Sequence, residues 1–150
     1  MKKSLYILAA AVLAIFSSCS KEDNKGGLTG QWNLTGAELH DRTESTKSII
    51  IGDATIDIYI DFKADGSYDM YQMIGQGRYK YYTGIYNVSG DKVTGNYREA
   101  NKIRDWGNAY TFKVKGDQLT MTATINSTDV YTYTKCSIPA EVVEQAMQGN

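Results

Sequence analysis

The feature that most constrains this chain is an alternation of apolar and polar side chains that restarts eight times between Gly30 and Cys136. Ile56, Ile58, Ile60 and Phe62 are separated by Asp57, Tyr59 and Asp61. A strand sends successive side chains to opposite faces, so this run reads as a strand with one buried face. The same reading applies to Gln31 to Leu39 around Trp32, Ser67 to Ile74, Tyr79 to Val88 and Lys92 to Arg98. It applies again to Asn108 to Lys115, Gln118 to Ile125 and Val130 to Cys136.

Most runs are joined by short polar turns such as Lys63-Ala64-Asp65-Gly66, Ser89-Gly90-Asp91 and Gly116-Asp117, with Gly75-Gln76-Gly77 read as a hairpin loop. Two links are longer: His40 to Thr55 and Glu99 to Gly107, both read as connections without strands of their own. Short links favour antiparallel pairing of sequence neighbours. A meander of eight strands leaves two raw edges unless it closes on itself. The expected fold is therefore all-β: an eight-stranded up-and-down antiparallel β-barrel, with a two-sheet sandwich as the alternative. Residues 139–148 change period. Val142, Val143, Ala146 and Met147 fall at helical spacing behind Pro139, which suits a helix start, so a short C-terminal helix should lie against the barrel.

The first part of the chain is organised differently. Lys2 and Lys3 precede an apolar run from Leu5 to Phe16, shorter than the about 20 residues a bilayer-spanning helix needs. A positive start, a short apolar run and small residues make a secretory leader over 1–18. Phe16-Ser17-Ser18-Cys19 resembles the lipobox of bacterial lipoproteins, in the looser form that accepts an aromatic residue in place of the aliphatic one. That resemblance implies cleavage before Cys19 and acylation of Cys19. Several acyl chains give stable membrane anchoring, because each buried methylene adds roughly 0.8 kcal/mol. Residues 19–27 would then be a lipidated cysteine and polar tether. Ser20-Lys21-Glu22-Asp23 resembles a tag that directs lipoproteins to the outer face of the outer membrane, although a charged linker can also simply be solvated.

Behind the tether, residues 28–150 form one domain. Three stretches carry a resemblance: Gly30-Gln31-Trp32, Phe62-Lys63-Ala64-Asp65-Gly66-Ser67-Tyr68, and Gly84-Ile85-Tyr86 leading to Ser89-Gly90-Asp91. Their order and spacing resemble the lipocalin-like domains of Bacteroidota lipoproteins, within the calycin superfamily. The resemblance implies a lipocalin-like barrel in which Trp32 plugs one end and packs on a basic residue, here Lys135 or Lys113.

Composition narrows the function. Removing Lys2 and Lys3 with the leader takes the formal net charge from −1 to −3, which argues against a nucleic-acid partner. With Cys19 acylated, Cys136 has no partner for a disulfide, since the chain has 2 cysteines. Its 1 histidine, His40, supports neither a catalytic triad nor a Cys/His metal cluster. Asp57 and Asp61 share a strand face but stand about 13 Å apart at ~3.3 Å per residue, too far for a glycosidase pair, and read as solvent-facing. No catalytic residue, metal or cofactor is expected, and the protein is expected not to be an enzyme.

The 12 tyrosines are the informative residues. Strand parity points Tyr68, Met70, Tyr86, Tyr97, Tyr110, Phe112, Met121, Tyr131 and Tyr133 inward. They either fill the barrel or line a cavity for a small hydrophobic or amphipathic ligand. The alternative is a filled barrel acting as an interaction or inhibitor module, or an accessory subunit of an outer-membrane complex, with Tyr59, Tyr81, Tyr82, Trp106 and Arg104 as surface anchors; the loop from Glu99 to Gly107 reads equally as one folded over the barrel mouth with Trp106 as a lid. The sequence identifies no protein partner.

Overall fold

The computed structural model describes residues 27–41, 44–49, 56–125 and 128–148. The leader, Cys19 and most of the tether lie outside the described residues. The strands are β1 (Gly30–Asp41), β2 (Glu44–Ile49), β3 (Ile56–Phe62), β4 (Ser67–Ile74), β5 (Lys80–Ser89), β6 (Lys92–Glu99), β7 (Lys102–Asp105), β8 (Tyr110–Lys115), β9 (Gln118–Ala123) and β10 (Val130–Lys135), followed by helix α1 (Ala140–Met147).

Eight of these strands, β1-β3-β4-β5-β6-β8-β9-β10, pair antiparallel in that order, and β10 returns to β1 to close the barrel. These are the eight alternating runs, with ends shifted by a residue or two. Strands β2 and β7 fall within the two stretches read as strand-free links. β2 prolongs a hairpin with β1, and β7 folds back on the end of β6. No alternation announces β7, because all four of its residues are exposed and neither face meets a core.

Turn chemistry sets the closed end. At the β3–β4 turn Gly66 has φ +91°, a backbone that side-chain-bearing residues rarely adopt. The Asp65 carboxylate accepts the Ser67 backbone N–H at 2.8 Å and its hydroxyl at 2.6 Å. The β5–β6 and β8–β9 turns lie at this same end, where β1 begins, and it is packed solid. Leu28, Trp32, Phe62, Tyr86, Val93 and Leu119 are fully buried there or just above. The polar tips are satisfied by backbone: the Trp32 indole N–H donates to the Leu28 carbonyl at 2.8 Å, and the Tyr86 hydroxyl to the Lys63 carbonyl at 2.7 Å. Phe62 meets Tyr86 edge-on with ring centres 4.9 Å apart, a favoured aromatic geometry. Trp32 lies opposite Lys135 on the last strand, whereas Lys113 is exposed and faces Thr120 of β9.

Helix α1 packs on the outer wall of β4 and β5. Val142 and Ala146 are buried against Tyr71 and Tyr79, with Tyr59, Met73 and Tyr81 around them. Met147, expected on the packed face, is instead 49% exposed at the helix end. The wall is pinned by polar bonds. The Asn33 amide and the Tyr79 hydroxyl donate to Asp57, Gln31 donates to Asp61, and Lys63 and Tyr81 donate to Asp69 at 2.5 and 2.6 Å. Asp57 and Asp61 are thus partly buried acceptors rather than solvated positions. Their partners, Asn33 and Tyr79 for Asp57 and Gln31 for Asp61, come from other parts of the chain, which their own strand's alternation does not announce.

Candidate functional site

Above the plugged end the interior opens into a cavity of about 290 Å³. Tyr68, Met70, Tyr97, Tyr110, Met121, Tyr131 and Tyr133 line it, together with Leu34, Ile58, Ile60, Phe62 and Trp106. Of the nine residues that parity points inward, the remaining two sit elsewhere in the core. Tyr86 belongs to the solid end, against Phe62, and Phe112 packs in the main cluster without reaching the cavity wall. The added liners Ile58, Ile60 and Phe62 share the parity of their strand. Their signal was present in the same alternation that located the strand.

Trp106 carries no such signal. It follows β7, is partly buried, and faces the interior, so of its two readings the one that folds it over the barrel is nearer than the surface anchor, although it closes the wall and not the mouth. Its position follows from a defect in the barrel. β6 pairs with β8 only at Lys92–Thr111 and Val93–Tyr110, and then diverges to pair with β7. The indole fills the resulting gap. Its backbone N–H donates to the Gly95 carbonyl at 3.0 Å, and its ring N–H donates to the Tyr68 hydroxyl at 2.8 Å. That hydroxyl in turn donates to the Asn96 carbonyl at 3.1 Å. Edge-on contacts with Tyr68 and Tyr110, at 5.4 and 6.0 Å between ring centres, hold the indole on both sides.

Two glycines make this seating feasible. A Cβ on Gly95 would stand 2.5 Å from the Trp106 ring, and one on Gly84 would stand 1.8 Å from the Asn96 carbonyl oxygen and 2.9 Å from the Tyr68 ring. On its far side Trp106 borders an outer groove lined by Asn87, Thr94, Asn96, Asp105 and Asn108. One side chain therefore separates the apolar interior from a polar surface groove.

Among the described residues the cavity wall is apolar apart from its phenols and the indole N–H, and none of those lining residues is charged. The Glu99–Arg104 ion pair lies on the exposed β6–β7 hairpin beside it. Burial pushes up the pKa of Tyr68, Tyr110, Tyr131 and Tyr133. Tyr131 rises to about 12, with Tyr110 and Asp129 adding to the effect of burial. All four are neutral phenols at physiological pH and can donate a hydrogen bond.

Tyr59 and Tyr81 are half-buried beside α1, and Tyr82 is half-buried with its ring edge-on to Tyr97 at 6.0 Å. Cys136 is half-buried, and burial, then Asp57, pushes its thiol pKa up, away from a nucleophilic thiolate. Among the described residues no three His, Cys, Asp or Glu side chains gather as a metal site.

No family model matches the chain, and no curated protein matches it. Among solved structures, an uncharacterized protein from Bacteroides eggerthii is similar at 14% identity with a TM-score of 0.44, covering 72% of this chain and 98% of that one. Two single-site variants of the fluorescent protein UnaG are similar at 12% identity with TM-scores of 0.40, covering 73% of this chain and 96% of theirs.

Proposed function

We propose that this chain is an exported, membrane-anchored lipoprotein whose barrel binds a small hydrophobic or amphipathic molecule. The carrying observation is the cavity of about 290 Å³ beside a solidly packed end. It lies near the lower bound of the roughly 300–1,000 Å³ typical of ligand pockets, and its wall combines aliphatic and aromatic surface with a few polar groups, as such pockets do. A barrel acting only as a scaffold gains nothing from an unfilled interior, since voids forfeit packing energy. The anchor rests on the leader and on Cys19 at the end of Phe16-Ser17-Ser18-Cys19. The tag-like Ser20-Lys21-Glu22-Asp23 supports placement in the outer membrane, facing outward.

Titration with the neutral dye Nile red tests the binding. The expected result is saturable 1:1 binding that Met121→Trp, which fills the cavity from its wall, abolishes while the barrel stays folded. Dye binding unaffected by that substitution would refute the interior site. Metabolic labelling with an alkyne palmitate analogue tests the anchor: label should enter the wild-type chain and be lost in Cys19→Ser.

A further inference from the structure

Tyr133 is 92% buried, by its 8% residual exposure, and lines the cavity, yet its hydroxyl makes no hydrogen bond among the described residues. Several aromatic polar groups of the interior are satisfied instead. Trp32 and Tyr86 donate to carbonyls, and Trp106, Tyr68 and Asn96 form a chain. Among the described residues the one enclosed side-chain polar atom without a partner is Thr29 Oγ1, so the Tyr133 hydroxyl is not sealed in: it opens on the cavity, where the acceptor has to come from water or from a bound molecule. Tyr97 and Tyr110 also line the cavity without a hydrogen bond among the described residues; Tyr133 is the most deeply buried of the three, and it and Tyr110 belong to one tyrosine cluster with Tyr131.

We infer that the ligand carries an uncharged hydrogen-bond acceptor, a carbonyl, ester or ether oxygen on an apolar frame, and that Tyr133 receives it with help from Tyr110. This rests on the cavity reading above and names its chemistry. An anionic head is disfavoured at this depth. Among the described residues no cation lines the cavity, and the charged group that acts on Tyr110 and Tyr131 is the carboxylate of Asp129, which repels negative charge. A cation is disfavoured too, because no carboxylate is among the described lining residues and Asp129, behind the wall, is already engaged by Tyr131. A pure hydrocarbon would leave the Tyr133 donor stranded behind it. The neutral acceptor alone satisfies the phenol without bringing an unpaired charge into an apolar space.

The test uses three probes of one shape: 2-acetylnaphthalene (neutral acceptor), 2-ethylnaphthalene (no acceptor) and 2-naphthoate (anion), each titrated calorimetrically at pH 7.5. Wild type should bind the ketone about tenfold more tightly than the hydrocarbon, the value of one net hydrogen bond, with the anion weakest. Tyr133→Phe should bring the ketone down to the hydrocarbon's affinity and leave the hydrocarbon unchanged, and Tyr110→Phe should narrow the gap less. The inference is overturned if the anion binds as tightly as the ketone. It is also overturned if ketone and hydrocarbon bind alike, or if Tyr133→Phe preserves the ketone's advantage. Should Tyr133→Phe fail to fold, the wild-type order of the three probes decides. Binding by none of them would remove the cavity reading itself, which separates that failure from an error about the acceptor.

Discussion

Trp106→Ala tests the claim that a single indole closes the barrel wall where β6 and β8 part. A tryptophan buries on the order of 200 Å² when enclosed, and a partly buried one on the order of 150 Å². At ~25 cal/mol per Å² that burial contributes about 4 kcal/mol, or about 3 kcal/mol once compactness of the unfolded chain is allowed for. The hydrogen bond to Tyr68 adds about 1 kcal/mol, and loss of that bond strands nothing, because Tyr68 still donates to the Asn96 carbonyl. Alanine keeps a little of the apolar area. The expected destabilisation is therefore about 3 kcal/mol by urea unfolding, with a drop in Tm of about 10 °C. The geometry adds a second requirement. Gly95→Ala alone should cost about 2 kcal/mol, because its Cβ would stand 2.5 Å from the indole. Most of that cost should vanish when Trp106 is already alanine, leaving only the 2.9 Å approach to the Ile85 carbonyl. A Trp106→Ala loss below 1 kcal/mol, or additive effects in the double variant, would refute the wall.

Two further outcomes are expected. Ala100 adopts φ +50° at the tip of the β6–β7 hairpin, where a Cβ costs roughly 1–2 kcal/mol. Ala100→Gly should raise stability by about 0.5–1 kcal/mol after glycine's extra unfolded-state entropy, which thermal unfolding would detect as a Tm increase of a few degrees. The interior tyrosines fix the alkaline limit. Their folded pKa values lie above the unfolded value of 10.0, so their contribution is fully present below pH 10 and is lost as pH rises through the folded values, about 12 for Tyr131. Phenolate absorbance should therefore appear later in the folded protein than in urea, and unfolding free energy should fall between pH 10 and 12; coincident titrations would contradict the buried placement.

Much of the fold was legible in the sequence because each β run records its buried face in its own residues. Ile56, Ile58, Ile60 and Phe62 point inward by parity alone, and the turn at Asp65-Gly66 fixes where the chain reverses. Helix α1 was equally legible from the spacing of Val142 and Ala146. The same local logic gave seven of the residues that line the cavity.

What it could not give was whatever depends on a second surface. The exposed residues of β7 carry no pattern, so the folding of Lys102–Asp105 onto β6 was invisible, and the sequence left Trp106 open between a surface anchor and a lid over the barrel. The tyrosines on the outer wall look like surface anchors until α1 packs against Tyr71 and Tyr79. Whether inward side chains fill a tube or leave a cavity depends on how far the strands stand apart across it, a distance that no single strand encodes. The alternation determined the barrel and which side chains face in. Only the closed structure decided that Tyr86 and Phe62 pack one end solid, while Tyr133 faces the cavity with a hydroxyl that nothing among the described residues accepts.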